Sequence, residues 1–270
     1  MQIRFGYELA YQCAQPTPMI LVLRVHHTRA TDLIRGDELT TDPYVALSGY
    51  QDGFGNWCTR LVAPPGLIRI TTDALIRDAG LPDPVVADAA QHSVGCLPEQ
   101  TLVYLLGSRY CDTDNLSAIA WNLFGHTLPG WGRVQAICDF VHQHLRFGYE
   151  FARSTKTASE AFHERQGVCR DFAHLAITLC RCLNLPARYC TGYLGDIGVA
   201  PVAAPMDFSG WFEVYLGEHW YTFDARHNVP RIGRVLIARG RDAADVAISM
   251  TFGQCSLTGF RVWTDEVPSV

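Results

Sequence analysis

The sequence ERQGVCRDFAHLAITLCRCLNLPARYCTGYL, residues 164–194, contains the strongest structural signal in the chain. Gly167 permits a tight turn, and an amphipathic run that begins at Cys169 predicts a helix ending near Asn184, ahead of Pro186. Its apolar face comprises Phe172, Ala173, Ala176, Ile177, Cys180 and Leu183. Cys169 would therefore lie at the helix N-terminus, where the dipole and the unpaired amides favour a nucleophilic thiolate and lower the thiol pKa.

A second segment, DFSGWFEVYLGEHWYTFDARHN (207–228), predicts a β-hairpin. Two apolar strands flank a Gly-Glu dipeptide (217–218), and glycine at the first position of a two-residue loop is typical of a type II′ turn. Counting outward from this turn pairs Asp224 with Trp211. Ser209 lies two residues earlier on the same face, so we expect it to be a diagonal neighbour of Asp224.

Three motifs carry a family resemblance: GVCRDFAHL (167–175), LPARYCTGYL (185–194), and WFEVYL with HWYTFD (211–224). Together they resemble the transglutaminase-like cysteine protease superfamily in its bacterial form, over roughly residues 105–235. The resemblance implies an α+β, papain-like core in which a cysteine at a helix N-terminus faces a sheet carrying histidine and aspartate. It also implies a β-rich domain ahead of the core.

The resemblance assigns roles to particular residues of this sequence. Cys169 matches the nucleophile, and Asp224 matches the acid that orients a histidine. Tyr149 matches an aromatic residue upstream of the nucleophile that helps to stabilise the oxyanion. The family's histidine precedes Ala-Trp on the first strand, where this sequence has Ser-Gly-Trp (209–211). Serine does not titrate near neutral pH, so Ser209 cannot take the thiol proton as a histidine would.

Three other histidines were considered as the missing base. His227, three residues after Asp224, is the possible substitute, although its direction does not follow from the pattern because the chain turns there. His219 has the opposite strand parity from Asp224 and lies about 16 Å along the strand, so we reject it. His174 is five residues beyond Cys169 on the helix, about 140° around the axis, and we expect it to face the core.

The first hundred residues differ in character from the rest. Short runs of β-branched and aromatic residues separated by turns predict a small sandwich or barrel. We therefore predict a β-rich, sandwich-like domain over residues 1–105 and the transglutaminase-like core over residues 106–270. The individual predicted strands are 20–27, 43–50, 56–64 and 66–75, and the predicted helices are 114–124, 132–147 and one starting at 157.

The composition argues against several classes of protein. Of 270 residues, 48% are hydrophobic and 18% are charged, which is typical of a globular fold. The formal net charge of −5 argues against a nucleic-acid partner. No apolar run reaches the roughly 18 residues that a membrane span needs. The N-terminus has no apolar signal-peptide core, so we expect a cytoplasmic protein.

The ten cysteines form no C-x-x-C pair and no paired zinc-ligand spacing, and no calcium-loop pattern is present. We therefore expect no metal and no cofactor. In a reducing compartment most of these cysteines are expected to be small buried apolar residues. A redox-sensing role for the group Cys169, Cys180, Cys182 and Cys190 is a lesser hypothesis.

Two functions follow from the candidate site. In the first, Cys169 attacks a carboxamide or peptide carbonyl to form a thioester that water or an amine resolves, as in a protease, an amidase or an acyl transferase. In the second, Ser209 leaves the thiol without its base, and the protein binds a peptide or protein without catalysis. The expected partner is a peptide or protein substrate, with no nucleic acid and no membrane, and the sequence gives no oligomeric state.

Overall fold

The computed structural model describes residues 1–201 and 205–268. Its first strands are β1 (Gln2–Cys13), β2 (Thr17–Leu21), β3 (Leu33–Arg35), β4 (Thr40–Asp42), β5 (Ser48–Gln51), β6 (Trp57–Ala63) and β7 (Gly66–Arg77). The middle of the chain contains α1 (Glu99–Leu102), α2 (Thr113–Phe124), α3 (Trp131–His144), β8 (Arg146–Phe147), α4 (Ala158–Glu164), β9 (Gln166–Gly167) and α5 (Cys169–Cys182). The remaining strands are β10 (Ala187–Leu194), β11 (Ser209–Leu216), β12 (His219–Phe223), β13 (Arg234–Gly240), β14 (Ser249–Thr251) and β15 (Cys255–Val267). Short 3-10 turns cover His27–Asp32, Val94–Cys96, Val103–Leu105 and Tyr149–Phe151.

Two antiparallel sheets form the β-rich part of the molecule. One has the order β15-β1-β7-β3, with β4 also paired to β7, and the other has the order β14-β2-β6-β5. Alternate residues of β1 and β7 are buried, as the two-residue period of a strand requires when one face of a sheet covers a core. These side chains belong to one buried cluster with Met19, Leu21 and Leu61 of the second sheet. The sandwich-like N-terminal region and the α+β class are confirmed.

The two last strands complete the sheets of the first half. β15 pairs with β1 over the whole length of β1, from Gln2 opposite Val267 to Cys13 opposite Cys255. β14 pairs with β2. Residues 249–267 fall within the predicted core domain (106–270), whereas strand pairing joins them to strands within residues 2–77. We call these two segments together the β-domain, and residues 99–240 the core.

A disulfide joins Cys13 to Cys255 across the β1–β15 pair. The expectation that most cysteines are reduced and buried does not hold for this pair, and no local cysteine pattern marks a bond between residues 242 positions apart. The register brings the two cysteines opposite each other at the end of the ladder. The other eight cysteines are free thiols.

Helix α5 lies at the centre of the core. It packs against β11 of the antiparallel sheet β12-β11-β10-β13 and against α2, α3 and α4. Every residue from Asp171 to Cys182 is buried, so α5 is covered all round and not only on its apolar face. Two of its buried polar side chains donate to backbone acceptors: Thr178 to the His174 carbonyl, and Arg181 to the carbonyls of Ala187 and Leu106.

The predicted hairpin register is confirmed. Leu216 lies opposite His219, and Phe212 lies opposite Phe223. The predicted strand over 20–27 is shorter than expected and ends at Leu21, because the next residues make isolated backbone hydrogen bonds. Val22 donates to Ile248, and His26 donates to Leu236. The predicted strand over 43–50 is also reduced, to Ser48–Gln51. Among the described residues, no helix is long and apolar enough to cross a membrane.

Gly192 on β10 provides a test of how the sheet beside the candidate site is packed. Gly192 lies opposite Ser209, and a β-carbon there would overlap the Val235 carbonyl oxygen and lie 2.9 Å from the Trp211 ring. We expect Gly192→Ala to lower the free energy of unfolding by about 1–3 kcal/mol, because the backbone must shift to admit the methyl group. Urea denaturation measures this. Gly49→Ala is the matched control, since its β-carbon would meet only the Cys58 carbonyl oxygen at 3.9 Å. Equal effects of the two substitutions would contradict the close packing at Gly192.

Candidate active site

Cys169 is the first residue of α5 and is half-buried, as predicted for a thiol at a helix N-terminus. The start of the helix is stabilised by Asp171, whose buried carboxylate accepts a hydrogen bond of 3.0 Å from the backbone N–H of Val168. An acidic residue in the first helical turn also complements the helix dipole. The hydrogen bond from Val168 fixes the residue that precedes the thiol.

The protonation state of Cys169 differs from the expectation. Burial raises the pKa of the Cys169 thiol above its ordinary value, and it outweighs the Arg226 guanidinium and a hydrogen bond from the Gly210 amide, which both lower that pKa. The helix terminus predicted a lowered pKa, but the sequence did not reveal how deeply the thiol is packed. A thiol in this environment is neutral at pH 7, so a base has to remove its proton before or during attack on a carbonyl.

Asp224 follows β12 and is buried. Its Oδ1 accepts from the backbone N–H groups of Arg226 and His227, and its Oδ2 accepts from Arg234 Nη2 at 3.0 Å. Oδ2 also lies 2.9 Å from His227 Nδ1. Burial opposes ionisation, but Arg234 and His227 hold the pKa of the Asp224 carboxyl well below its ordinary value. Asp224 is therefore a carboxylate at neutral pH.

Ser209 and His227 both lie in the cleft that contains the thiol. Ser209 is the first residue of β11 and is 6% exposed, and its hydroxyl has no hydrogen-bond partner among the described residues. The acid is therefore bonded to His227 and not to residue 209. With Nδ1 bonded to Asp224, the free nitrogen of His227 is Nε2, which is the tautomer that a general base requires.

Tyr149 lies in a 3-10 turn and is 43% exposed. Its ring meets the Phe147 ring edge to face, with centroids 5.3 Å apart. Burial of the hydroxyl raises the pKa of Tyr149, and the nearby Arg226 guanidinium lowers that pKa in part. Arg226 also lies over the Phe147 ring, 3.8 Å from its centroid. These three side chains form one packed group beside Cys169.

The first of two clefts that meet at Cys169 has a volume of about 360 Å³. Five acidic or basic side chains line it, so we call it the charged cleft. They are Asp196, Asp207, Arg226, His227 and Arg231. Arg231 is 5% exposed and donates to the Gly195 carbonyl. Burial raises the pKa of Asp207.

The second cleft has a volume of about 440 Å³ and lies between the core and the β-domain. Its lining is largely aliphatic and aromatic, with Arg170 and Asp207 as the only residues carrying formal charge among the described ones, so we call it the apolar cleft. Cys169, Tyr149, Asp207 and Phe208 line both clefts. The thiol is therefore accessible from two sides of different chemical character.

The two rejected histidines line neither cleft. His174 is fully buried, its Nε2 accepts from the Ala243 N–H at 3.1 Å, and burial lowers its pKa well below the usual range. It is a neutral core histidine. His219 is exposed at the hairpin turn, with Nδ1 2.9 Å from the Gly217 carbonyl. No group of three or more His, Cys, Asp or Glu side chains in the described ranges is arranged to hold a metal ion.

Sequence reasoning missed Arg226, Arg234 and Tyr189. Arg226 directly precedes His227 in the sequence, so the turn that follows Asp224 could have indicated that Arg226 also lies near the site. Arg234 comes ten residues after Asp224, and no local pattern links the two. The Tyr189 hydroxyl lies under Gly210, where a β-carbon would overlap it, and Tyr189 lines the apolar cleft beside Cys169. Glycine at position 210 allows this approach.

Comparison with known proteins gives matches to one family. Residues 119–225 match the model of the Transglutaminase-like superfamily. The crystal structure of a protein from Cytophaga hutchinsonii, described as a "Putative Cysteine Protease", superposes with a TM-score of 0.88 at 30% sequence identity. That alignment covers 100% of this chain and 92% of the other.

Two mycobacterial proteins of uncharacterised function are also similar. A Mycobacterium tuberculosis protein is 27% identical over 238 residues, which cover 77% of this chain and 73% of that protein. A Mycobacterium leprae protein is 33% identical over 91 residues. The latter match spans only 33% of this chain and 32% of the relative, so this similarity concerns about a third of each protein.

The environment of Cys169 predicts a particular pH profile for its alkylation. Because burial raises the thiol pKa, we expect the rate of iodoacetamide labelling to remain low at pH 6–7 and to rise above the ordinary thiol pKa of about 8.5. Peptide mass spectrometry of the labelled protein measures the rate at each cysteine. Cys96, an exposed free thiol in the same chain, is the internal reference. Labelling of Cys169 at pH 6 that is faster than that of Cys96 would contradict the raised pKa.

Proposed function

The chain belongs to the transglutaminase-like superfamily, and from that premise we propose that it is a thiol-dependent hydrolase or acyl transferase acting on peptide or amide carbonyls. The observation that supports this most directly is that one cleft contains Cys169 together with His227, whose Nδ1 lies 2.9 Å from the Asp224 carboxylate. A nucleophile, a base and an acid that orients the base are the parts that acyl transfer through a thioester requires.

The first half of the proposed reaction forms the thioester. His227 Nε2 takes the proton from the Cys169 thiol while the sulfur attacks the carbonyl carbon, which gives a tetrahedral oxyanion. The imidazolium then gives this proton to the amine nitrogen, and the C–N bond breaks. Asp224 stabilises the imidazolium without taking its proton, because Arg234 and the backbone donors keep its pKa low.

The second half releases the acyl group. Water attacks the thioester carbon and gives a carboxylic acid, or an amine attacks it and gives a new amide. In each case the C–S bond breaks and the sulfur recovers a proton through His227. Both products use the same residues, so the nature of the acceptor separates a protease or amidase from a transferase.

The oxyanion needs hydrogen-bond donors close to the thiol. The Gly210 amide lies close enough to the thiol to lower its pKa, and Tyr149 and Arg226 line the same cleft as Cys169. We assign the oxyanion to this group. The cationic Arg226 makes it more favourable for a developing negative charge than Tyr149 would be alone.

A second candidate function is peptide or protein binding without turnover. Two observations favour it: the Ser209 hydroxyl has no hydrogen-bond partner among the described residues, and burial raises the pKa of Cys169. Under this hypothesis His227 only satisfies the buried Asp224 carboxylate. The two functions differ in one measurable respect, the formation of a thioester on Cys169.

The cytoplasmic location predicted from the sequence stays a prediction. The Cys13–Cys255 disulfide is of a kind that persists in oxidising compartments and is rare in the cytosol. Rapid alkylation of thiols in intact cells, followed by mass spectrometry, reports whether this pair is reduced there. The peptide or protein substrate likewise stays a proposal.

Removal of the proposed base provides the main test of catalysis. Casein and fluorogenic peptide amides are incubated with the protein, and new amino groups report hydrolysis while incorporation of dansylcadaverine reports transfer. We expect His227→Ala to lower kcat/KM at least about a hundredfold, because the thiol loses its proton acceptor. Cys169→Ala should abolish turnover. His219→Ala is the matched control and should leave turnover unchanged, since His219 lies at the exposed turn. Full activity of His227→Ala would refute the assignment of this base.

Restoring an imidazole at position 209 tests the hairpin geometry. The confirmed register ends at Phe212 opposite Phe223. Extended by one pair, it would place residue 209 diagonally across from Asp224, so we expect Ser209→His to raise the rate of Cys169 alkylation at pH 7. Ser209→Asn, with a side chain of similar reach and no basic nitrogen, is the control. The alkylation rate is read by peptide mass spectrometry. An unchanged rate in a folded Ser209→His variant would mean that residue 209 does not reach the thiol.

A further inference from the structure

The two clefts that meet at Cys169 differ in charge, and this difference bears on which part of a substrate each one holds. Five acidic or basic side chains line the charged cleft, whereas two, Arg170 and Asp207, line the apolar cleft. Arg170 is already engaged: it donates to the Arg153 carbonyl and contacts the Asp171 carboxylate. Apart from Asp207 and the hydroxyl residues Ser154, Thr191 and Ser249, the remaining lining of the apolar cleft is aliphatic and aromatic or belongs to Cys169.

The wall of the apolar cleft opposite the thiol comes from the β-domain. Leu9 and Tyr11 of β1 lie at its base and are buried, and Leu257 and Phe260 of β15 lie at its mouth. The mouth residues are 49% and 45% exposed. An exposed apolar surface that is concave and next to a nucleophile is typical of a ligand subsite.

Phe260 links this wall to the centre of the site. Its ring meets the Phe208 ring edge to face, with centroids 6.0 Å apart, and Phe208 lines both clefts beside the thiol. An apolar group bound between Phe260 and the core would therefore contact Phe208 and lie near Cys169. Leu257, three residues earlier on β15, also lines this cleft and is exposed.

The direction of proton transfer decides which part of the substrate lies in which cleft. In the proposed reaction the departing amine takes its proton from His227. His227 lines the charged cleft and is absent from the lining of the apolar cleft. The leaving group must then lie in the charged cleft, and the acyl group that stays on the sulfur must extend into the apolar cleft.

We infer that the apolar cleft is the acyl-group subsite and that the substrate is a peptide or amide with a bulky apolar side chain on the acyl side of the scissile bond. Phe260 and Leu257 are its specificity-determining residues. This inference rests on the proposed function for the direction of the substrate. The β-domain is then part of the substrate-binding site.

The test measures binding separately from turnover. Fluorescein-labelled tetrapeptide amides that are identical except for Phe, Leu, Gly or Asp at the acyl-side residue are titrated into the full-length Cys169→Ala protein, and fluorescence anisotropy gives each Kd. The same peptides as fluorogenic amides report turnover by the protein with Cys169 intact. We expect the Phe and Leu peptides to bind at least about tenfold more tightly than the Asp peptide, since only the former gain from apolar burial.

Substitutions at the cleft mouth locate this preference. In the Cys169→Ala background, Phe260→Asp should weaken binding of the Phe peptide about tenfold and leave the Kd of the Gly peptide unchanged, whereas Phe260→Leu should retain the preference. Phe252→Asp is the matched control. Phe252 is also an exposed phenylalanine of the C-terminal segment, but it lines a different surface groove with Met19 and Leu61. It should leave all four affinities unchanged. Thermal melting verifies that each variant is folded.

The outcomes separate this inference from the proposed function. A preference for apolar peptides that Phe260→Asp removes supports the subsite, even if no peptide is turned over, and in that case the proposed catalysis alone fails. Equal binding of all four peptides refutes the subsite, even if turnover is observed. A preference that survives Phe260→Asp in a folded variant also refutes it.

Discussion

A carboxylate that is buried in protein is stable only when donors replace the water it has lost, and Asp224 imposes this condition on the whole site. Its two oxygens accept from the backbone of the following turn, from Arg234, and from the imidazole of His227. Arg234 is held in turn by Asp83, in the segment that joins the two halves of the chain. The orientation of the candidate base and the attachment of the linking segment thus depend on one buried charge.

Local sequence signals predict helix α5 and the β11–β12 hairpin. The apolar period of α5 and the Gly-Glu turn each act within about fifteen residues, and both the helix start at Cys169 and the strand register are confirmed. The protonation state of Cys169 could not be predicted, because burial depends on side chains distant in sequence. The sequence could suggest a hydrogen bond between Asp224 and His227, because the two residues are three positions apart. It could not suggest the bond between Asp224 and Arg234, which lie ten positions apart with no local pattern between them.

The two halves of the chain are joined more closely than a division into successive domains implies. β14 and β15 return from the core to complete both sheets of the β-domain, and residues of β1 and β15 then line a cleft that contains the core's thiol. No sequence signal links β15 to β1. The pairing of β15 with β1 is visible only in the structure, as the backbone register of the two strands and the disulfide between the cysteines at its end.

The pairing of β1 with β15 has a consequence for the order of folding. Helix α5 and strands β10 to β13 lie within about seventy consecutive residues, so their contacts close short loops and are expected to form early. β1 has to wait for a partner more than two hundred residues later in synthesis. Until then a chain emerging from the ribosome already carries its thiol helix but leaves one edge of β1 unpaired, and such an edge is a template for aggregation. The interval between the two events is therefore the period in which the nascent protein most needs a chaperone.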